Sequence, residues 1–302
     1  MKAPKKSGRT AEAATPPLLE LIKTTTITSL FSDDDLFDLL VLKGGNAMNI
    51  IYQVNSRASV DIDFSVELGF VRDNAWPKIQ ETLRNGFAEI GYLAFDLSMS
   101  PRPGKMPEDL ASFWGGYLVE FKLISLLRAN EVGQDVDIMR REAINLGQGT
   151  RFTVDISRYE YVEHKEAHEL DNYTIYVYSP EMIVSEKLRA ICQQMEEYAN
   201  IIKRKGLGNQ RARDFVDIEA LMKKFDIDLS SERVKHLIEE MFKVKRVPIT
   251  LLGQVADTRE LHATGYDEVR ATMSPGSEIR SFDYYFDFVI EQLENLKSLW
   301  NV

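Results

Sequence analysis

Two aspartates set into one short apolar alternation, VDIDFSV (60–66), are the residues of this chain best suited to chemistry. Side chains two apart on a strand point the same way, so Asp61, Asp63 and Ser65 share one face and Ile62, Phe64 and Val66 the other. Carboxylates about 7 Å apart along a backbone can converge on one or two hard cations, and Mg²⁺ prefers such oxygen ligands when it shares them with substrate phosphates. Two-metal sites use this arrangement to hold the attacking and leaving oxygens of a phosphoryl displacement. Upstream, Gly44-Gly45 ends an apolar run. A bare backbone there can approach a ligand closely, and N–H groups at the start of the next helix can receive an anion. Arg57 and Ser59, just ahead of the aspartates, would add a charge and a hydroxyl. Singly, Gly-Gly is commonly a turn and Asp-x-Asp a solvated strand face. Together, at this spacing, they point to a phosphate and metal site.

Holding these residues in place requires a strand, a turn and a helix, and the flanking sequence supplies them. Helical spacing is expected over 18–31, an apolar element over 36–42 leading into the glycines, a short helix over 46–54 and a strand over 60–67. A helix over 76–90 follows, then strands over 92–99, 117–124, 151–157 and 173–178. Beyond residue 179 the character changes. Ser179-Pro180-Glu181 is a helix start, with a hydroxyl N-cap, proline at the first helical position and an acid near the positive end of the dipole. Val184, Leu188, Ile191 and Met195 then recur at helical spacing, and 215–225, 231–242 and 282–299 are helical in pattern. The expected organisation is a flexible arm over 1–17, a sheet-containing half over 18–179 and a helical half over 180–302.

With these motifs in view, KGGNAMNIIYQ…SRASVDIDFS resembles the first motif of the AbiEii/AbiGii toxins, a branch of the DNA polymerase β-like nucleotidyltransferase superfamily. EMIVSEKLRA is similar to that family's lysine helix, with Lys187 as the lysine. RARDFVDIEAL matches its Arg-Asp element through Arg213, Asp214 and Asp217. The three motifs stand in the family's order between Lys43 and Leu221. Asn46 stands where the family usually has Thr or Ser. The resemblance implies an α+β fold, a polymerase β-like nucleotidyltransferase domain with a mixed sheet followed by a mainly helical domain. It implies a Mg²⁺-dependent enzyme that moves a nucleotide from an NTP to an acceptor hydroxyl, such as the 3′ end of an RNA (tRNA). It further implies a toxin of a type IV toxin–antitoxin or phage-abortive system, with a cognate antitoxin that need not bind it stably. On this resemblance Gly44, Gly45, Arg57, Ser59, Lys187, Arg213, Asp214 and Asp217 hold the nucleotide, and Asp61 and Asp63 the metal. A protein or small-molecule hydroxyl is the alternative acceptor. A catalytically inactive nucleotide-binding module is the alternative from another class, and the complete set Asp61, Asp63, Lys187 and Asp214 argues against it.

Sites of this superfamily carry a third carboxylate on a neighbouring strand, as general base or metal ligand. Asp155 alternates with Phe152, Val154 and Ile156. Glu120, between Val119 and Phe121, is placed similarly. Asp155 is favoured because it comes just before the lysine helix, which would make it both catalytic and a metal ligand. Lys187 lies on the border of the apolar stripe, where it could reach a triphosphate as a point charge or simply snorkel to solvent. Asp214 and Asp217, at i and i+3, share a helix face. The tract KRKGLGNQRAR (203–213) has five bases and no acid, a candidate RNA contact that could equally be a solvated loop. His164 and His168 in HKEAH lack a third ligand nearby and are expected in a loop.

The bulk composition limits the remaining classes. A 302-residue chain with 44% hydrophobic and 28% charged residues has ample material for a core. Its 47 acids against 37 bases, a formal charge of −10, argue against nucleic-acid binding through the overall field and leave only a local basic patch for it. A lone Cys192 rules out an intrachain disulfide. No apolar run approaches the roughly 20 residues of a membrane helix, and the basic N-terminal residues have no apolar segment behind them. A cytoplasmic protein is expected.

Overall fold

The computed structural model describes residues 16–54, 61–67, 69–147, 149–206, 208–272 and 279–301. Two helices, α1 (Pro16–Phe31) and α2 (Asp34–Leu39), lead into β1 (Leu40–Lys43). Gly44 opens a short helix, α3 (Gly44–Asn46), which widens into a π-helical turn, Ala47–Ile51. There follow β2 (Ile62–Val66), α4 (Arg72–Glu89), β3 (Tyr92–Arg102), β4 (Gly116–Ser125), α5 (Leu126–Glu131), α6 (Val136–Glu142) and β5 (Phe152–Ser157). A hairpin, β6 (Lys165–Leu170) and β7 (Tyr173–Tyr178), completes the sheet. The rest is helical: α7 (Pro180–Cys192), α8 (Glu196–Ile201), α9 (Ala212–Phe225), α10 (Glu232–Val244), a 3₁₀ stretch Ile249–Thr258, α11 (Arg259–Ala263), α12 (Tyr266–Ala271), α13 (Phe282–Leu293) and α14 (Lys297–Trp300).

The seven strands lie in the order β3-β4-β5-β2-β1-β7-β6. β2 runs parallel to β5 and β1 parallel to β7, while the other neighbours are antiparallel. This is the mixed sheet with a following helical half that the sequence led us to expect. Strand parity decides which face carries what. Phe64 packs against Phe31 of α1 and Phe121 of β4 against Phe87 of α4, so α1 and α4 cover one face. The alternate residues of β2 and β5, Asp63 and Asp155 among them, point to the other face.

The helix start read from Ser179-Pro180-Glu181 is present, with Ser179 Oγ accepting from the Met182 N–H at 3.3 Å. α7 is buried on nearly every side, because α9, α10 and the 3₁₀ stretch surround it. One buried apolar cluster runs from Ile22 through the sheet to Leu296, across residue 180 without a break.

Three expectations need correction. HKEAH is no loop: Lys165–Leu170 forms edge strand β6, zipped to β7 from Lys165↔Tyr178 to Leu170↔Tyr173. Its polar sequence takes the extended state from that pairing rather than from propensity. The helical stripe stops at Cys192, and Met195 is the N-cap of α8. Ser65 is fully buried, bonded to Tyr178 Oη at 2.6 Å, so the polar face of β2 is open only at its Asp61–Asp63 end. α1 begins at Pro16, within the expected arm, whose residues 1–15 lie outside the described residues, as does Val60 of the expected strand.

Candidate active site

On the open face of the sheet a cleft of 840 Å³ lies between the strand ends and α7, α9 and α12. It is lined by Asp61, Asp63 and Asp155 from the sheet side and by Lys187, Arg211, Arg213 and Asp214 from the helical side. Asp63 stands in register with Asp155 on the parallel neighbour β5 and with Lys43 on the antiparallel neighbour β1. A carboxylate therefore has another carboxylate on one flank and an ammonium on the other. Burial raises the Asp63 carboxyl to about 7. Lys43 opposes that rise, and Glu186, Asp155 and Asp61 add to it. Asp155 pairs with Arg102 at 2.5 Å, and Asp61 Oδ1 accepts from Thr153 Oγ1 at 3.1 Å. As oriented, no three Asp, Glu, His or Cys side chains among the described residues converge as a metal cage. The donor set is nonetheless all oxygen and mostly carboxylate, the chemistry that Mg²⁺ takes.

The glycine turn has a specific reason at Gly44. Its φ is +70°, and a Cβ there would lie 2.5 Å from Asp63 Oδ2. Both the left-handed backbone and the close approach of the carboxylate require glycine. Gly45 lines the cleft. Asn46 is buried, and its amide Nδ2 donates to the Asp61 carbonyl at 2.5 Å, tying the short helix to the entry of β2. Arg57 and Ser59 lie outside the described residues.

Lys187 does not snorkel. It is buried, with its ammonium 2.6 Å from Asp217 and 3.1 Å from Asp214, at the wall of the cleft. Asp214 also receives Arg211 at 2.5 Å. Burial alone would raise the Asp214 carboxyl, but Arg211 and Lys187 hold it below its ordinary value. Arg213 is exposed at the cleft. Glu120 lies outside this cleft, paired with Arg151 at 3.0 Å, so of the two candidates for the third carboxylate only Asp155 lines it. His164 contacts Tyr161 and His168 contacts Glu166.

Residues 27–288 match the family described as the nucleotidyl transferase AbiEii toxin of type IV toxin–antitoxin systems. The chain belongs to the AbiEii family. It is a nucleotidyltransferase, from a family of type IV toxins. JHP933 from Helicobacter pylori aligns over 95% of this chain and 95% of its own, at 14% identity and a TM-score of 0.49. MenT4, the nucleotidyltransferase toxin Rv2826c from Mycobacterium tuberculosis H37Rv, aligns over 93% and 84%, at 16% identity and a TM-score of 0.48. No curated protein matches the sequence.

The AbiEii motifs do not include a buried charge cluster at the floor of the cleft, and motif reading missed it. Glu160, in the segment after β5, faces Arg189 at 2.8 Å, Lys245 at 3.2 Å and Lys43 at 3.6 Å. Lys43 also pairs with Glu186 at 2.6 Å. Burial works against the Lys43 ammonium, yet Glu186 and Glu160 keep its pKa above the usual lysine range. Burial lowers Lys245 to about 8 even with Glu160 beside it, and Arg189 and Lys43 push the same way. Glu160 itself is held below the ordinary carboxylate range, because its three cations outweigh the cost of burial. Two acids, Glu160 and Glu186, and two further bases, Arg189 and Lys245, thus fix Lys43 beside Asp63. The sequence signal that was available is the lysine directly before Gly44-Gly45; the other four partners lie far away in the chain.

Proposed function

We propose that this AbiEii-family chain transfers a nucleotide from an NTP to the 3′ hydroxyl of an RNA, with tRNA as the acceptor class, in a Mg²⁺-dependent reaction. The observation that carries the reading is the Asp63–Asp155 register pair, flanked by Lys43 and facing Lys187 across one cleft. Asp61, Asp63 and Asp155 would hold the metal, which neutralises phosphate charge and polarises the phosphoryl group. Gly44 and Gly45 let the backbone meet the phosphates, with Arg57 and Ser59 ahead of the strand. Lys187 and Arg213 supply positive charge from the helical side, and Asp214 and Asp217 orient Lys187.

Asp155 accepts the proton of the attacking hydroxyl. The hydroxyl oxygen bonds to the α-phosphorus, the bridging bond between the α- and β-phosphates breaks, and pyrophosphate leaves. Little covalent chemistry is asked of the protein, so positioning across both sides of the cleft dominates. In this reading the division at residue 180 is functional: residues 18–179 carry the carboxylates, and residues 180–302 carry the groups that hold the triphosphate in line.

No described helix is long and apolar enough to cross a membrane, and we infer action in the cytoplasm, where NTPs and RNA are found. A toxin of this family has a cognate antitoxin, and phage defence is the context we propose for the pair. Incubating the purified protein with each α-labelled NTP, Mg²⁺ and total RNA tests the reading. Label in RNA with release of pyrophosphate is expected. Label only in protein or in a small molecule would replace the acceptor.

A further inference from the structure

The segment between β3 and β4 forms the wall of the cleft next to Asp155. Arg102, Pro103 and Trp114 line it there. Trp114 is the one aromatic residue among the described residues lining the cleft, and it is only partly buried. Arg102 is well exposed, with its guanidinium on the Asp155 carboxylate. The wall is braced from both halves of the chain. Tyr159 Oη donates to the Ala111 carbonyl at 2.6 Å, and Arg246 stacks on the Phe113 ring at 4.1 Å. Lys203, the first residue of the basic tract, pairs with Asp109 at 2.7 Å. That ion pair joins the start of the tract to the segment carrying Trp114, whose cleft-lining part reaches Asp155 through Arg102.

A flat aromatic beside a cation is the combination that receives one nucleotide of a single strand. Every base has a π face to stack, and a guanidinium pairs with phosphate oxygens. We propose that Trp114 and Arg102 form the subsite for the 3′-terminal nucleotide of the acceptor. Trp114 stacks the terminal base, Arg102 takes the adjoining phosphate, and the terminal hydroxyl is brought to Asp155. This subsite rests on the RNA-acceptor reading above and adds to it the residues that select an unpaired, base-bearing end. The opposite wall, with Lys187, Arg211 and Arg213, is left to the incoming nucleotide.

The test uses the full chain and a synthetic hairpin oligoribonucleotide with a single-stranded 3′ overhang, its terminal residue either natural or abasic. Binding is read by fluorescence anisotropy without NTP, and transfer with α-labelled NTP. Trp114→Ala should weaken binding of the natural end by about ten-fold or more, as expected for loss of one stacked base, and raise the acceptor KM while leaving the NTP KM in place. Trp114→Phe should restore most of both. The abasic end should bind wild type as weakly as the natural end binds Trp114→Ala, with no further loss when the two changes are combined. Arg102→Gln should weaken both ends alike. An altered NTP KM with unchanged RNA binding would assign Trp114 to the incoming base and overturn the proposal, as would equal loss on natural and abasic ends. A wild type that binds and labels no RNA overturns the acceptor reading itself, a result seen before any variant is made.

Discussion

Gly44 and Asp63 share a space that admits no side chain at position 44. The glycine sits at φ +70°, and the Asp63 carboxylate occupies the place a Cβ would take, 2.5 Å away. The turn so often assigned to phosphate binding therefore has a prior task here, to let the central carboxylate of the site lie flat against the backbone. Gly44→Ala should cost on the order of 1–2 kcal/mol for the left-handed backbone and displace Asp63 as well. Expected is a lowered denaturation midpoint together with near-complete loss of nucleotidyl transfer. Retained transfer in the folded variant would show that the position of Asp63 is not critical.

Lys187 has two jobs that simple truncation cannot separate. Removing it leaves Asp217 buried without that ammonium, and breaking a buried pair from one side costs about 3–5 kcal/mol. Lys187→Met should therefore lose both stability and activity. Combining it with Asp217→Asn should recover stability, seen as a rise in the urea midpoint, while transfer stays absent. If activity returned with stability, Lys187 would be a scaffold residue only.

Asp214 gives the fold an acid limit. Its carboxyl is held below its ordinary value, chiefly by Arg211 and Lys187 acting against burial. A group with a depressed folded pKa stabilises fully above its unfolded value, about 3.9, and that stability fades as pH falls through the folded value. The urea midpoint of the wild type should thus decline steeply below about pH 4. Asp214→Asn should be less stable at neutral pH and show a shallower decline. Parallel curves for the two proteins would remove Asp214 from the acid transition.

The basic tract holds residues of two kinds. Arg204 clamps Gln194 through its side-chain oxygen at 3.4 Å and its carbonyl at 3.1 Å, so it belongs to the fold, whereas Lys203 and Lys205 are exposed. Lys203→Gln with Lys205→Gln should weaken RNA binding and reduce its log–log salt slope by roughly one unit for each phosphate that is no longer neutralised, with the NTP KM unchanged. An unchanged slope would take the tract off the RNA path.

What the sequence could disclose depended on how local each signal was. Asp61 and Asp63 were legible because strict alternation with Ile62 and Phe64 assigns their face, and Asp155 by the same parity on β5. Ser179 announced α7 through capping chemistry confined to three residues. By contrast, Lys43 and Glu186 meet across 143 positions of sequence, and Glu160 follows β5 in a segment with no periodicity. Nothing near Glu160 signals that three cations converge on it. β6 was hidden for a related reason: KEAHEL has the composition of a loop and becomes a strand only through its partner β7. Lys187 was found, but its buried pairing with two acids could not be read from a helical wheel.

The role of the Asp63–Asp155 pair is tested most directly by transfer of α-labelled nucleotide to total RNA, comparing wild type with Asp63→Asn and Asp155→Asn at matched folded concentration. Asp63→Asn should keep a thermal midpoint equal to or slightly above that of wild type, because it removes a buried charge and its repulsion with Asp155 and Asp61. Asp155→Asn should stay close to wild type, because it relieves the same repulsion and gives up only a largely exposed pair with Arg102. Asp63→Asn should abolish transfer, and Asp155→Asn should slow it by about 10²–10⁴-fold, the usual range for loss of a general base. Wild-type rates in either folded variant would contradict a carboxylate centre at this register of β2 and β5.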